Sequence, residues 1–231
     1  MQIPTYSIGV RCSAHKEAEG PSSVEQESKD KSGSITGFLV SQALKLYLKT
    51  QLDAEEDLQV LVFGRNRDLL SGTVRTLVVT AKNAVYKGVS VSEACLTASK
   101  VKVTLNGEKR GLKEPFVVEA SLKLTEKDFQ KSLASPLTRR AVLEALRPEN
   151  FSRRAEANLD VRLEDGTIGL QQGSSQSRLG LQLNGSGNVL TLVDLDSRKA
   201  RDVFLGDDTH LRKVEVSPNL LSCEASFLVT P

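Results

Sequence analysis

Phe116-Val-Val-Glu-Ala-Ser-Leu-Lys-Leu-Thr-Glu-Lys-Asp-Phe129 carries a strand pattern directly into a helix start. Phe116, Val118, Ala120, Leu122 and Leu124 alternate with Glu119, Ser121 and Lys123, the period of two that gives a β-strand one apolar and one polar face. Thr125 is then an N-cap residue type, and Asp128 sits where a carboxylate can answer the capping donor, a variant of the capping box. Phe129 and Leu133 follow on the inward face of this helix. Ser135-Pro136 interrupts it, because the residue before a proline is biased away from helical geometry. Pro136 can open a second short helix carrying Leu137, Ala141, Val142 and Leu146, so a bent helical pair is expected.

Upstream, strand signals recur: Leu58, Val60 and Val62, then Thr76 to Thr80, then Val89 and Val91 after a turn at Lys87-Gly88. Val101, Val103 and Leu105 alternate with Lys100, Lys102 and Thr104 before a turn at Asn106-Gly107, and a further turn is expected near Gly64 to Arg67. Ahead of an acidic link from Asp53 to Asp57, Thr36 can cap a helix running to about Leu52. Its polar Gln42, Lys45 and Lys49 form one narrow strip, while Phe38, Leu39, Val40, Ala43, Leu44, Leu46, Tyr47 and Leu48 cover the rest. A flat sheet covers only one face of a helix. So broad an apolar surface therefore calls for a sheet curving around the helix, a lipid in part of the gap, or burial between a sheet and the second helical segment. Downstream of the bent pair, short strands and turns at Asp165-Gly166 and Asn184 to Gly187 predict antiparallel hairpins, ending in a strand from Leu220 to Val229.

The 231 residues, 39% of them hydrophobic, can bury one sizeable core. Residues 1–34 are rich in Ser, Glu, Lys, Gly and Pro and read as a disordered tail, leaving 35–231 as a single domain. Within the tail, Ile8 to Ala14 is similar to the cleavage region of a plastid transit peptide, which points to a chloroplast location, with the cytoplasm as the alternative. The 31 basic residues nearly balance the 29 acidic ones, and aromatics make up only 4% with no Trp. Neither a global field nor stacking platforms for nucleic acid are present. No apolar run approaches the roughly twenty residues a bilayer-spanning helix needs. Three dispersed cysteines, Cys12, Cys95 and Cys223, do not form a disulfide framework, although a Cys95 to Cys223 bridge is conceivable if their strands pair.

Catalytic constellations are scarce. His15 and His210 are the only histidines, so His210 with Asp207 and Asp208 reads as a polar turn. Ser99 and Lys102 match a Ser-x-x-Lys spacing, but on an alternating strand they point to opposite faces. No metal, cofactor or catalytic residue is expected. The densest basic cluster, Arg139, Arg140, Arg147, Arg153 and Arg154, suits an anionic headgroup or membrane surface, since arginine can fork onto phosphate. Glu144, Glu149 and Glu156 make a solvated, charge-balanced face the alternative reading.

Three segments resemble the LmeA-type phospholipid-binding family of bacteria, cyanobacteria and plants: Leu77 to Gly88, Leu122-Lys-Leu-Thr-Glu-Lys-Asp-Phe129 and Ser132-Leu-Ala-Ser-Pro-Leu137. Phe129 stands where the family more often has Leu, and Gln130 where Asn is common. The likeness covers roughly residues 36 to 146. It implies an α+β fold similar to the tubular lipid-binding proteins, with a strongly curved antiparallel sheet wrapped around the long apolar N-terminal helix and enclosing a groove for acyl chains. The implied function is non-enzymatic binding or transfer of phospholipid or another acyl lipid, with peripheral membrane contact. Leu39, Ala43, Leu46, Phe116, Val118 and Leu122 would line the groove; each serves equally as ordinary core. The rival reading is a structural or interaction domain whose groove is filled by its own side chains.

Overall fold

In the computed structural model the described residues are 35–104, 111–136, 139 and 159–231. Lys87 and Gly88, at φ 49 and 78, close a two-residue hairpin between β2 (Thr73–Tyr86) and β3 (Val89–Thr104). Both central residues of such a turn need positive φ, which is why Gly at the second position is favoured. The two strand signals expected around Val89 and Val101 therefore belong to one strand. Lys100, at φ 57, interrupts its alternation, so Val101 and Val103 rejoin the cluster that already holds Leu96 and Ala98. The turn expected at Asn106-Gly107 lies outside the described residues, but β4 (Gly111–Leu112) pairs back onto Val103 and Thr104 as that turn requires.

The helix expected from Thr36 is α1 (Ile35–Gln51), and it leads into β1 (Ala54–Phe63). The turn expected near Gly64 is instead a short helix, α2 (Asn66–Leu70), entered through an extended Arg65. Leu69 draws that turn into helix by packing against Val74, Ala98, Val101 and Val118. Next come β5 (Phe116–Thr125) and α3 (Glu126–Ala134), capped as the sequence predicts: Thr125 and Asp128 form the reciprocal capping box. Ser135 is extended at φ −75, ψ 125, as the residue before Pro136 should be, and 137, 138 and 140–158 lie outside the described residues.

Five strands then run as an antiparallel meander: β6 (Leu159–Glu164), β7 (Thr167–Gln172), β8 (Ser175–Leu183), β9 (Val189–Asp194) and β10 (Ala200–Phe204). The last two strands, β11 (Thr209–Ser217) and β12 (Leu220–Val229), leave the meander and return to the first sheet, whose order is β1-β2-β3-β5-β12-β11. The second sheet covers the otherwise open edge of β11. Gly166 donates to the Val216 carbonyl at 2.9 Å, Asn219 to that of Leu163 at 3.0 Å, and Leu211 to that of Gly187 at 2.7 Å. Leu133 joins Val161, Leu163, Ile168, Leu170, Leu179 and Val216 in the core beneath this junction.

The open first sheet, with irregularities around Asp57 and Asn83 in the β1–β2 pairing, fits a curved antiparallel sheet. The expected wrapping of that sheet around α1 is not seen. Leu48 and Leu52 pack against Leu58, Ala81 and Ala84, but Phe38, Leu39, Ala43, Leu46 and Tyr47 are exposed. The apolar circumference of the helix thus exceeds what the sheet covers. Cys95 and Cys223 are not in a disulfide: β5 lies between their strands, with Cys95 opposite Ser121 and Cys223 opposite Leu122. Two strand spacings of about 4.8 Å exceed the span a disulfide can bridge.

Candidate functional site

The alternation that opens β5 extends across its neighbours. Register places Leu122 between Ala94 and Cys223, Ala120 between Leu96 and Ala225, and Val118 between Ala98 and Phe227. Ala94, Leu96 and Ala98 lie opposite Ala81, Val79 and Leu77 of β2, and Cys223 opposite Val214 of β11. Opposed residues of paired strands share a face, so one face of the sheet is apolar from Val60 and Val62 of β1 to Val214 and Val216 of β11. The reverse face is polar over β3, β5 and β11, with Glu93 and Lys123 paired at 2.7 Å and Glu119 against Arg212, and carries Leu61, Phe63 and Val78 toward β1 and β2.

Three groups of side chains cover parts of this apolar face. Leu48 of α1 and Leu52 just after the helix cover one corner, Leu69 of α2 a second, and Leu133 with the second sheet a third. Between them Ala94, Leu96, Leu122, Leu124, Val214 and Cys223 are half-buried. The centre of the face is built largely of small side chains, Ala81, Ala94, Ala98, Ala120 and Ala225, while larger ones stand around it. Burial pushes the Cys223 thiol above its usual range, against a backbone hydrogen bond at Leu122. The thiol thus stays protonated at neutral pH and adds no charge to the face.

The residues expected to line a groove separate in the structure. Phe116, Val118 and Leu122 lie on the apolar face, Val118 buried and the other two half-buried. Leu39, Ala43 and Leu46 point away from the sheet on the exposed side of α1. Sequence reasoning did not single out Ala94 or Leu96, and considered Cys223 only as a disulfide partner of Cys95. Their alternation is visible once β5 supplies the register, but nothing local says which strands will flank it.

The basic cluster is represented by Arg139 alone; Arg140, Arg147, Arg153 and Arg154 lie outside the described residues. Arg139 Nε donates to the Leu133 carbonyl at 2.6 Å, so this guanidinium serves an orphan carbonyl at the end of α3. A depression of about 430 Å3 between α3 and β6 is lined by Glu126, Lys127, Gln130, Lys131, Asp160, Val161 and Arg162. Its mostly charged lining sets it apart from the apolar face, none of whose residues line it. His210 is exposed on β11, its Nδ1 3.1 Å from the Ser186 carbonyl. Ser99 and Lys102 lie on β3, but not on opposite faces as strict alternation predicts: the irregularity at Lys100 keeps Ala98 and Val101 on the core face and so brings Ser99 and Lys102 to the other face together. Among the described residues no group of three or more His, Cys, Asp or Glu side chains could hold a metal ion.

The family profile for LmeA-like phospholipid binding matches residues 33–226. The chain belongs to the LmeA-like phospholipid-binding family. The match to the LmeA-like family extends well beyond residue 146 and takes in the second sheet and most of β12, where the sequence segments carried only a generic likeness. No curated protein and no solved structure matches the chain.

Proposed function

We propose that the chain is a non-enzymatic lipid carrier, whose residues 35–231 act as one domain holding phospholipid tails against the apolar face centred on Leu122. The observation that carries this reading is a continuous apolar face, half-buried at its centre, in a member of a phospholipid-binding family. Each methylene removed from water contributes about 0.8 kcal/mol, so two tails outweigh modest headgroup contacts. Binding would then be passive: tails desorb from one membrane, rest on the sheet and enter another. The half-buried Ala94, Leu96, Leu122, Leu124 and Val214 support this, since their apolar surface is only partly covered by the rest of the domain.

Headgroup recognition by Arg139, Arg140, Arg147, Arg153 and Arg154 is part of the same proposal and rests on their charge. A plastid location rests on the Ile8 to Ala14 segment, and likeness to the tubular lipid-binding proteins on the open antiparallel sheet. A full-chain fluorescent fusion in plant cells tests the location. Function is tested by mass spectrometry of organic extracts from the purified protein, together with transfer of labelled phospholipid between vesicles. Co-purified lipid with measurable transfer is expected. Absence of both overturns the proposal and leaves a self-filled interaction domain.

A further inference from the structure

Four large apolar side chains of α1 stand in solvent: Phe38 is 61% exposed, Leu39 61%, Leu46 66% and Tyr47 62%. At about 100° per residue they span, with Gln42 and Ala43 among them, roughly half of the helix circumference. The opposite half, with Gly37, Val40, Leu44 and Leu48, turns toward the rest of the domain. The exposed arc contains no acidic side chain, and α1 has none anywhere along its length. Lys45 borders it and Lys49 lies within it between Phe38 and Gln42, paired with Glu55 at 2.7 Å.

We infer that this outer face of α1 docks the protein on a phospholipid bilayer by inserting Phe38, Leu39, Leu46 and Tyr47 at the headgroup boundary. The inference rests on the lipid-carrier reading and locates its membrane contact on α1, away from the arginine cluster. Several features select a bilayer as the occupant. With about 200 Å2 for each large side chain, the arc offers roughly 500 Å2, more than scattered surface apolar residues present but below the ~800 Å2 per partner of a stable protein interface. The arc carries no acidic side chain and a single cation, Lys49, whose stem can lie along the bilayer boundary while its ammonium stays among the headgroups. It is also continuous with the candidate site, because the inner side of the same helix, through Leu48, covers one corner of the apolar face together with Leu52 just beyond its end. Attraction by charge plays a small part: Lys45 and Lys49 face Asp57 and Glu55 at the start of β1.

Flotation of the full chain with phosphatidylcholine vesicles, with and without phosphatidylglycerol and at low and high salt, tests the inference. Binding to both vesicle types that survives high salt is expected. The exposed-site variants Leu39→Glu and Leu46→Glu should each weaken it roughly tenfold or more, with co-purified lipid and thermal melting unchanged. A nitroxide placed by Ala43→Cys, in a chain otherwise free of cysteine, should move from aqueous to bilayer relaxation on adding vesicles. Wild-type binding by the two glutamate variants overturns the inference, as does binding confined to anionic vesicles and abolished by salt, or a dimer that these variants dissociate. Wild type that carries lipid but ignores vesicles overturns the docking alone; wild type that does neither overturns the carrier reading as well.

Discussion

Asp128 Oδ2 accepts hydrogen bonds from both the backbone N–H and the hydroxyl of Thr125, each at 2.8 Å. Ser92 Oγ of β3 donates to the same oxygen. The bond from Ser92 turns a local cap into a tertiary clamp, because it ties the first turn of α3 to the second strand of the hairpin. Ser132 extends the clamp one turn on, donating to the Asp128 carbonyl at 2.7 Å and accepting from Ser90 N–H at 2.8 Å. Asp128→Ala should therefore cost more than the ~1 kcal/mol of an ordinary cap, about 2–3 kcal/mol, since the part-buried Ser92 and Thr125 donors lose their acceptor. Thr125→Ala should cost about 1–2 kcal/mol. Denaturant unfolding of both variants checks the order.

The clamp also sets a pH dependence. Burial alone would raise the Asp128 carboxyl, but the hydrogen bonds from Ser92 and Thr125 hold it below the ordinary value of 3.8. Asp194 is likewise held down against burial by the N–H groups of Ser197 and Asp196. With the folded value below the unfolded one, the unfolded chain binds the proton more readily. The contribution is then complete above about pH 4 and is lost as pH falls through the folded values. The melting temperature of the wild type should drop below about pH 4, and Asp128→Asn should show a shallower drop from a lower plateau.

Leu122 and Leu133 separate site from core. Leu133 is 5% exposed and joins α3 to the second sheet, so Leu133→Ala should cost about 2–5 kcal/mol. Leu122 is half-buried with its face only partly covered, so Leu122→Ala should cost about 1 kcal/mol. Leu122→Arg should abolish lipid transfer while the fold survives, as a charge there meets the tails. Thermal melts beside a vesicle transfer assay distinguish the two behaviours.

Cys223 provides a chemical footprint of the same face. Its thiol is pushed up by burial, so alkylation by an apolar maleimide should be slow at neutral pH and accelerate as pH rises past the ordinary thiol range. Added phospholipid should protect Cys223 and leave Cys95, on the opposite face of the sheet, unprotected. Peptide mass mapping of the labelled chain reads both sites together.

Gly187 tests the junction of the two sheets. It sits at φ 71 in the β8–β9 turn, and a Cβ there would collide with the Leu211 carbonyl oxygen. Gly187→Ala should destabilise by about 2 kcal/mol or more, combining left-handed strain with loss of the Leu211 to Gly187 hydrogen bond. Hydrogen exchange at the Leu211 amide should rise in this variant.

The cap, the hairpin turn and the half-buried strand were legible because each depends on residues within a few positions: Thr125 with Asp128, Lys87 with Gly88, Phe116 through Leu124. The helical turn at Asn66 to Leu70 was not, since Leu69 takes its place from a distant cluster. The faces on which the expected lining residues lie were partly legible. Phe116, Val118 and Leu122 share the face their period implies, whereas Leu39, Ala43 and Leu46 were placed inside because the helix is apolar almost all round.

From the sequence alone came the local elements, the face of β5 that is apolar and the segments that resemble the LmeA family, because periodicity, capping and turn chemistry act over short separations. The tertiary structure alone decided that β12 returns beside β5, and that only one side of α1 meets the sheet. Leu122 and Cys223 face one another from positions far apart in the chain, and no local pattern encodes such a pairing. How much of an apolar helix is covered depends on the area of the elements that reach it, and here they reach Leu48 and Leu52 and leave Phe38, Leu39, Leu46 and Tyr47 outside.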